Sequence, residues 1–155
     1  MKWRLPPKIK IYEALGTLGD GRLEISGNTA KVYSSSGDKF YSVAYDPKAN
    51  AITSNDNSSY WVGYLGYPAI AFLLKKGVVA HDSDFAGALK GIPWKEVNTK
   101  FKNDFEKTEE HVNEILRKKG VDMNEFSAEI ERIYNEIRKL KLDKLGKTQK
   151  PPVGH

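Results

Sequence analysis

Cysteine is absent from the chain, and with it go disulfide frameworks, thiolate nucleophiles and cysteine-ligated zinc. Long apolar runs are missing too: the longest, Pro68 to Leu74, is far short of the ~20 residues a spanning helix needs. The opening Met1-Lys2-Trp3-Arg4-Leu5-Pro6-Pro7 has no apolar signal core. A soluble, cytoplasmic protein with no membrane association is therefore expected. Histidine is scarce, at three residues, which leaves few partners for acid–base or nucleophilic work. His155 falls in the tail, and His111 lies in the acidic stretch Glu106 to Glu114, where a solvated helix position is expected. Phosphate cradles lack parts: Gly16-Thr17-Leu18-Gly19-Asp20-Gly21 follows a helix and precedes a strand, the reverse of the order that aims backbone N–H groups at a phosphate. Ser34-Ser35-Ser36-Gly37 has no histidine nearby and reads as a hairpin turn.

What is present suits one domain with an appendage. The chain has 155 residues, 25 Lys and Arg against 20 Asp and Glu, a net charge of +5, and 39% hydrophobic residues. That length is enough to bury a real core. Residues 1–92 are rich in glycine turns and read as an α+β core. Pro6 and Pro7 suit helix entry, and Lys8 to Leu18 carries Ile9, Tyr12 and Leu15 at helical spacing before Gly19-Asp20-Gly21. Four strands follow, at Arg22–Ile25, Thr29–Ser34, Phe40–Tyr45 and Ala51–Thr53. Turn residues separate them, so a four-stranded antiparallel meander is expected. Pro68 then opens a buried helix, Ala69–Lys76, stopped by Gly77. His81-Asp82-Ser83-Asp84 precedes a short helix expected over Asp84–Lys90. With Asp56, these residues could hold a hard cation or an enzymatic centre. Capping by Asp82 or Ser83 explains them with no ion; it carries more weight, and neither metal nor cofactor is expected.

Residues 93–143 read as a helical hairpin. From Trp94 the residues Val97, Phe101, Phe105, Val112, Ile115 and Leu116 recur at helical spacing, predicting one helix to about Lys119, more than ~35 Å long. Gly120 breaks it, and a second helix carries Phe126, Ile130, Ile133, Ile137 and Leu140. That stripe either packs within the chain or forms a homodimer. Residues 144–155, with Gly146, Pro151, Pro152 and Gly154, read as a disordered tail.

Two resemblances are carried by particular residues. From Tyr41-Ser42-Val43 through Ile52-Thr53-Ser54-Asn55-Asp56 to Gly66-Tyr67-Pro68-Ala69-Ile70-Ala71-Phe72-Leu73-Leu74, residues 41–74 resemble the strand–strand–helix layout of SWIM-type zinc fingers. The positions matching the second ligand pair are Ala69 and Ala71, and the first pair falls within Ile52 to Asn55, so every zinc ligand is missing. Burial of Ile70, Phe72, Leu73 and Leu74 must then hold the layout. The opening Lys2-Trp3-Arg4-Leu5-Pro6-Pro7-Lys8-Ile9-Lys10 and the central Gly63-Tyr64-Leu65-Gly66-Tyr67-Pro68 resemble a family of small archaeal proteins. This implies a cytoplasmic, heat-resistant protein, and a lone glutamine with no cysteine agrees.

Two features point to binding rather than catalysis. Lys2, Arg4, Lys8 and Lys10 form a basic arm around Trp3, while Arg138, Lys139 and Lys141 make the last helix basic. Such clusters neutralise phosphates, although basic helix ends also complement the helix dipole and aid solubility. Tyr60, Trp61, Tyr64 and Tyr67 put four rings beside Asn55 to Ser59. Exposed, they form a stacking platform for bases or an anchor for a partner; buried, they seal the sheet against the helix. The sequence therefore predicts an α+β binding module for nucleic acid or a nucleic-acid-associated protein. The alternative is an assembly protein self-associating through Phe126, Ile130, Ile133, Ile137 and Leu140.

Overall fold

The computed structural model describes residues 1–153. Its centre is α1, Ile9–Gly19, in which every residue from Ile9 to Thr17 is buried. Burial on all sides of a helix requires cover on all sides, and four layers supply it. α2 (Tyr67–Lys76) lies on one side, with the sheet packed against it. The short α3 (Ser83–Ala88), then α4 (Trp94–Lys100), and the hairpin of α5 (Phe105–Lys118) and α6 (Met123–Leu140) cover the rest. Gly19 lets α3 come close: a Cβ there would lie 2.0 Å from the Ala86 carbonyl oxygen.

The meander is as expected, with β1 (Leu23–Ser26), β2 (Thr29–Tyr33), β3 (Phe40–Asp46) and β4 (Ala51–Ser54) antiparallel in chain order. A fifth strand is added: β5, Asp143–Lys144, runs parallel to β4 with Ala51 opposite Asp143. Two residues carry no alternation that a sequence could show. The pairing also reassigns part of the expected tail. Lys144 is in the sheet with its ammonium 4.9 Å from the Trp3 ring centre, Leu145 donates to the Ile52 carbonyl, and Gln149 lines a groove on the outer face of the meander. The rest of that expectation, Gly154 and His155, lies outside the described residues.

The basic arm is tied down rather than free. Trp3 is buried and donates its indole N–H to the Ile52 carbonyl at 2.8 Å, while its backbone N–H reaches the Leu142 carbonyl. Lys2 bridges to Asp143 and Arg4 to Tyr64. Among the described residues, no helix is long and apolar enough to cross a membrane.

The expected helix from Trp94 to Lys119 is two helices. Lys102 and Asn103 take positive φ (52° and 61°), and the Asp104 side chain accepts the Lys107 N–H to start α5. Asparagine tolerates that left-handed conformation and aspartate is a strong N-cap, so two local preferences override a continuous apolar period. In the turn, Phe101 packs on His111, ring centres 5.4 Å apart, and His111 is half-buried rather than solvated.

The stripe offered for self-association is core. Phe126, Ile130, Ile133 and Ile137 are all buried, and Phe126 stands edge-on to both Tyr12 (5.0 Å) and Phe85 (5.5 Å). Leu140 is half-buried against the same cluster. The strand–strand–helix segment 41–74 runs through β3, β4 and α2, with Ala69 and Ala71 fully buried.

Candidate functional site

A cleft of about 520 Å³ opens between α1, α4 and the loop joining β4 to α2. Its floor is ionic. Lys10 and Glu13 are only 8% and 3% exposed and pair at 3.3 Å across one helical turn. The other Glu13 oxygen accepts the Asn98 side-chain N–H at 2.8 Å, and the Lys10 ammonium sits 5.4 Å from the Phe105 ring centre. Burial by itself lowers the pKa of Lys10, but Glu13, aided by Tyr64 and Asp56, overcomes it and holds the ammonium above its ordinary value. Two polar atoms here have no partner among the described residues: Trp94 Nε1 and Asn98 Oδ1. Trp94 is 4% exposed, its indole N–H edge packed over Gly16. Buried polar atoms are seldom left unpaired, and the Asn98 oxygen gives the cleft lining an acceptor with spare capacity.

The walls are aromatic and hydroxylic. Tyr41 and Tyr67 meet edge-on at 6.2 Å. Burial pushes the Tyr41 phenol up to about 12, and Tyr67 also rises above its ordinary value, chiefly through burial. Both stay protonated at neutral pH and can donate. Four cations, Lys10, Arg22, Lys39 and Lys95, line the cleft against two carboxylates, Glu13 and Asp56. Arg22 is paired with Asp20 at 3.0 Å. With its ammonium and phenols holding their protons, the site is equipped to donate hydrogen bonds to an acceptor-rich, anionic ligand.

Asp56 builds the rim. It is buried and accepts from Ser54 Oγ (2.7 Å), Ser59 Oγ (2.6 Å) and the Ser59 N–H (3.3 Å). Those bonds wind Ser58–Val62 into one π-helical turn, closed by Gly63 at φ 88°. The turn holds Trp61 out at the cleft mouth, 66% exposed and edge-on to Tyr60 at 4.7 Å. Gly66 gives the carboxylate its room: a Cβ there would lie 2.0 Å from Asp56 Oδ2. Gly66→Ala is expected to lower stability by about 1–3 kcal/mol and to unwind the turn. The check is denaturant unfolding together with Trp61 fluorescence, which should shift toward that of a free indole.

Titration gives a second check. The Tyr12 phenol, raised to about 12 by burial and by Glu109 and bonded to Asn113 at 2.8 Å, behaves like that of Tyr41. An unfolded tyrosine loses its proton near pH 10, so between about pH 10 and pH 12 the unfolded chain binds fewer protons and stability falls. Each phenol therefore weakens the fold progressively over that window. The Lys10 ammonium acts with the same sign, its contribution present below ~10.4 and lost as pH climbs through its raised folded value. Unfolding followed by circular dichroism should coincide with ionisation of Tyr12 and Tyr41 followed by their own ring resonances; either ring ionised near pH 10 in a folded protein would contradict it.

The sequence-predicted residues divide. Lys10, Trp61, Tyr64 and Tyr67 line the cleft, with Tyr60 beside Trp61. Lys2, Trp3, Arg4, Arg138 and Lys141 gather around a different hollow. Lys8 is paired with Glu131, and Lys139 is exposed apart from both. Asp82 caps α3 through the Asp84 N–H at 2.9 Å. No group of three His, Asp or Glu that could hold a metal exists among the described residues. Gly146-Lys147-Thr148 is not a phosphate loop, since Lys141 stands where such a loop has its first glycine and no helix follows among the described residues. Sequence reasoning missed Glu13, Tyr41, Trp94 and Asn98. For Glu13 there was a signal: Lys10 and Glu13 are charges three apart in an otherwise apolar helix.

Fold and site together define an α+β protein with a donor-rich, aromatic-walled cleft. The chain belongs to the uncharacterised conserved protein family UCP014422, whose pattern matches residues 3–143. No curated protein and no solved structure matches it.

Proposed function

We propose that this chain is a binding module for nucleic acid, taking one nucleotide unit of a single strand into the cleft with a neighbouring base against Trp61. The observation that carries this reading is the pairing of an exposed indole at the mouth with a buried ammonium at the floor. Every base has a π face for the first, and phosphate is the anion for the second. The cleft volume of about 520 Å³ falls within the ~300–1,000 Å³ of small-ligand sites. Tyr41, Tyr67 and Asn98 add the donors and acceptors that base edges require. The Lys10–Glu13 pair is neutral as a unit, so Lys10 offers a phosphate its N–H donors, while the excess positive charge in the cleft is that of Lys39 and Lys95 over Asp56.

Fluorescence anisotropy with a short single-stranded oligonucleotide, its duplex and a mononucleotide tests the reading. The single strand should bind, the duplex should not compete, and affinity should fall steeply between ~50 and ~200 mM salt. Trp61→Ala should weaken binding about 5- to 150-fold, the equivalent of ~1–3 kcal/mol of stacking. A mononucleotide binding as tightly as the strand would reassign the site to a free nucleotide. Salt-indifferent binding, or an unaffected Trp61→Ala, would end the proposal.

A further inference from the structure

Away from the cleft, a hollow of about 200 Å³ opens where the N-terminal segment crosses the end of α6. Trp3, Leu65, Ile137 and Leu142 form its buried floor, and Leu5, 41% exposed, stands at its lip. The rim is Lys2, Arg4, Arg138 and Lys141, and no carboxylate lines it. Lys2 is committed, donating to the Lys141 carbonyl at 2.9 Å and to Asp143 at 3.2 Å. Arg4 gives one N–H to the Val62 carbonyl. Among the described residues Arg4, Arg138 and Lys141 form no ion pair.

An apolar floor inside a cationic rim matches a ligand with the opposite arrangement, hydrocarbon at one end and negative charge at the other. Guanidinium groups grip a carboxylate through two parallel N–H donors, and hydrocarbon would cover Leu5 and the floor. The carboxyl end of α6 opposes an anion through its dipole, a charge of about −0.5. Its last carbonyls are already engaged, however, by the Asn50 amide on Leu140 (2.7 Å) and by Lys2 on Lys141. Three cations without carboxylate partners outweigh the remainder. Size narrows the ligand, since an apolar cavity of ~150 Å³ holds benzene. We infer that this hollow binds a small amphiphilic carboxylate, one aromatic ring or a short branched hydrocarbon bearing a single carboxylate. The site is separate from the cleft and does not depend on its ligand.

Titration of the methyl-labelled full chain with phenylacetate, and with phenylacetamide as the uncharged match, tests the inference. Methyl resonances of Leu5, Leu65, Ile137 and Leu142 should move with phenylacetate while the Trp94 indole resonance, on the far side of the cleft from the Arg4-bonded turn, stays fixed. The amide should bind at least tenfold more weakly. Arg4→Gln with Arg138→Gln, both exposed positions, should weaken the acid at least tenfold without disturbing the unliganded methyl spectrum. Equal binding of acid and amide, no movement of these methyls, or an unaffected double variant would overturn the site. A peptide ending in a free phenylalanine carboxylate that binds where phenylacetate does not would also overturn it, in favour of a protein partner.

Discussion

Replacing Lys10 with methionine should destabilise the protein by about 3–5 kcal/mol and abolish oligonucleotide binding. The substitution leaves the Glu13 carboxylate buried with Asn98 as its remaining partner, an uncompensated charge in a low-dielectric position. Loss of binding alone would not separate a ligand contact from a damaged fold, so a second variant is needed. In Lys10→Met with Glu13→Leu both charges go, and an apolar pair of similar volume often restores or exceeds the original stability. The double variant should therefore unfold nearer the wild-type midpoint in urea than Lys10→Met does, short of it by the cost of leaving the Asn98 amide unpaired, and still fail to bind. If it binds as the native protein does, the ionic floor is only structural and the ligand lies elsewhere.

Phe126→Ala should cost about 3–5 kcal/mol, the range for a fully buried phenylalanine truncated in a packed core. Phe126 is the point where α6 meets α1 and α3, through Tyr12 and Phe85. The loss should be the same at low and high protein concentration, since the contacts are made within one chain. An interface role predicts something different: a drop in sedimentation mass with a fall in stability below about 1 kcal/mol, because truncating a surface residue leaves the fold almost unchanged. That result would return the α6 stripe to self-association.

The elements that were legible in the sequence are those whose signals are local. Pro68 and Gly77 bracket α2, Asp82 caps α3, and glycine or Asp-Pro turns space the four meander strands. What escaped is long-range or contradictory. β5 exists because residues 142–145 find β4 and the N-terminus across the fold, which no periodicity encodes. The break at Asn103-Asp104 was written in residue types yet hidden under an apolar period that continued through it. The site shows the same split. Exposed Tyr60 and Trp61 were legible as a cluster of rings within one loop, whereas the floor joins Lys10 and Glu13 from α1 to Asn98 from α4, 85 positions on. The basic arm and the basic helix end were visible separately, but that they meet around one hollow is a property of the fold.

The central claim is that the cleft, and not the scattered surface charge, is where the ligand goes. The most direct measurement is an amide and indole resonance titration of the native protein with a short single-stranded oligonucleotide at low salt. The claim requires the Trp61 and Trp94 indoles and the Asn98 side-chain amide to move together and saturate at one equivalent. Shifts confined to residues near Arg138, Lys139 and Lys141, or a non-saturating drift across all exposed lysines, would contradict it.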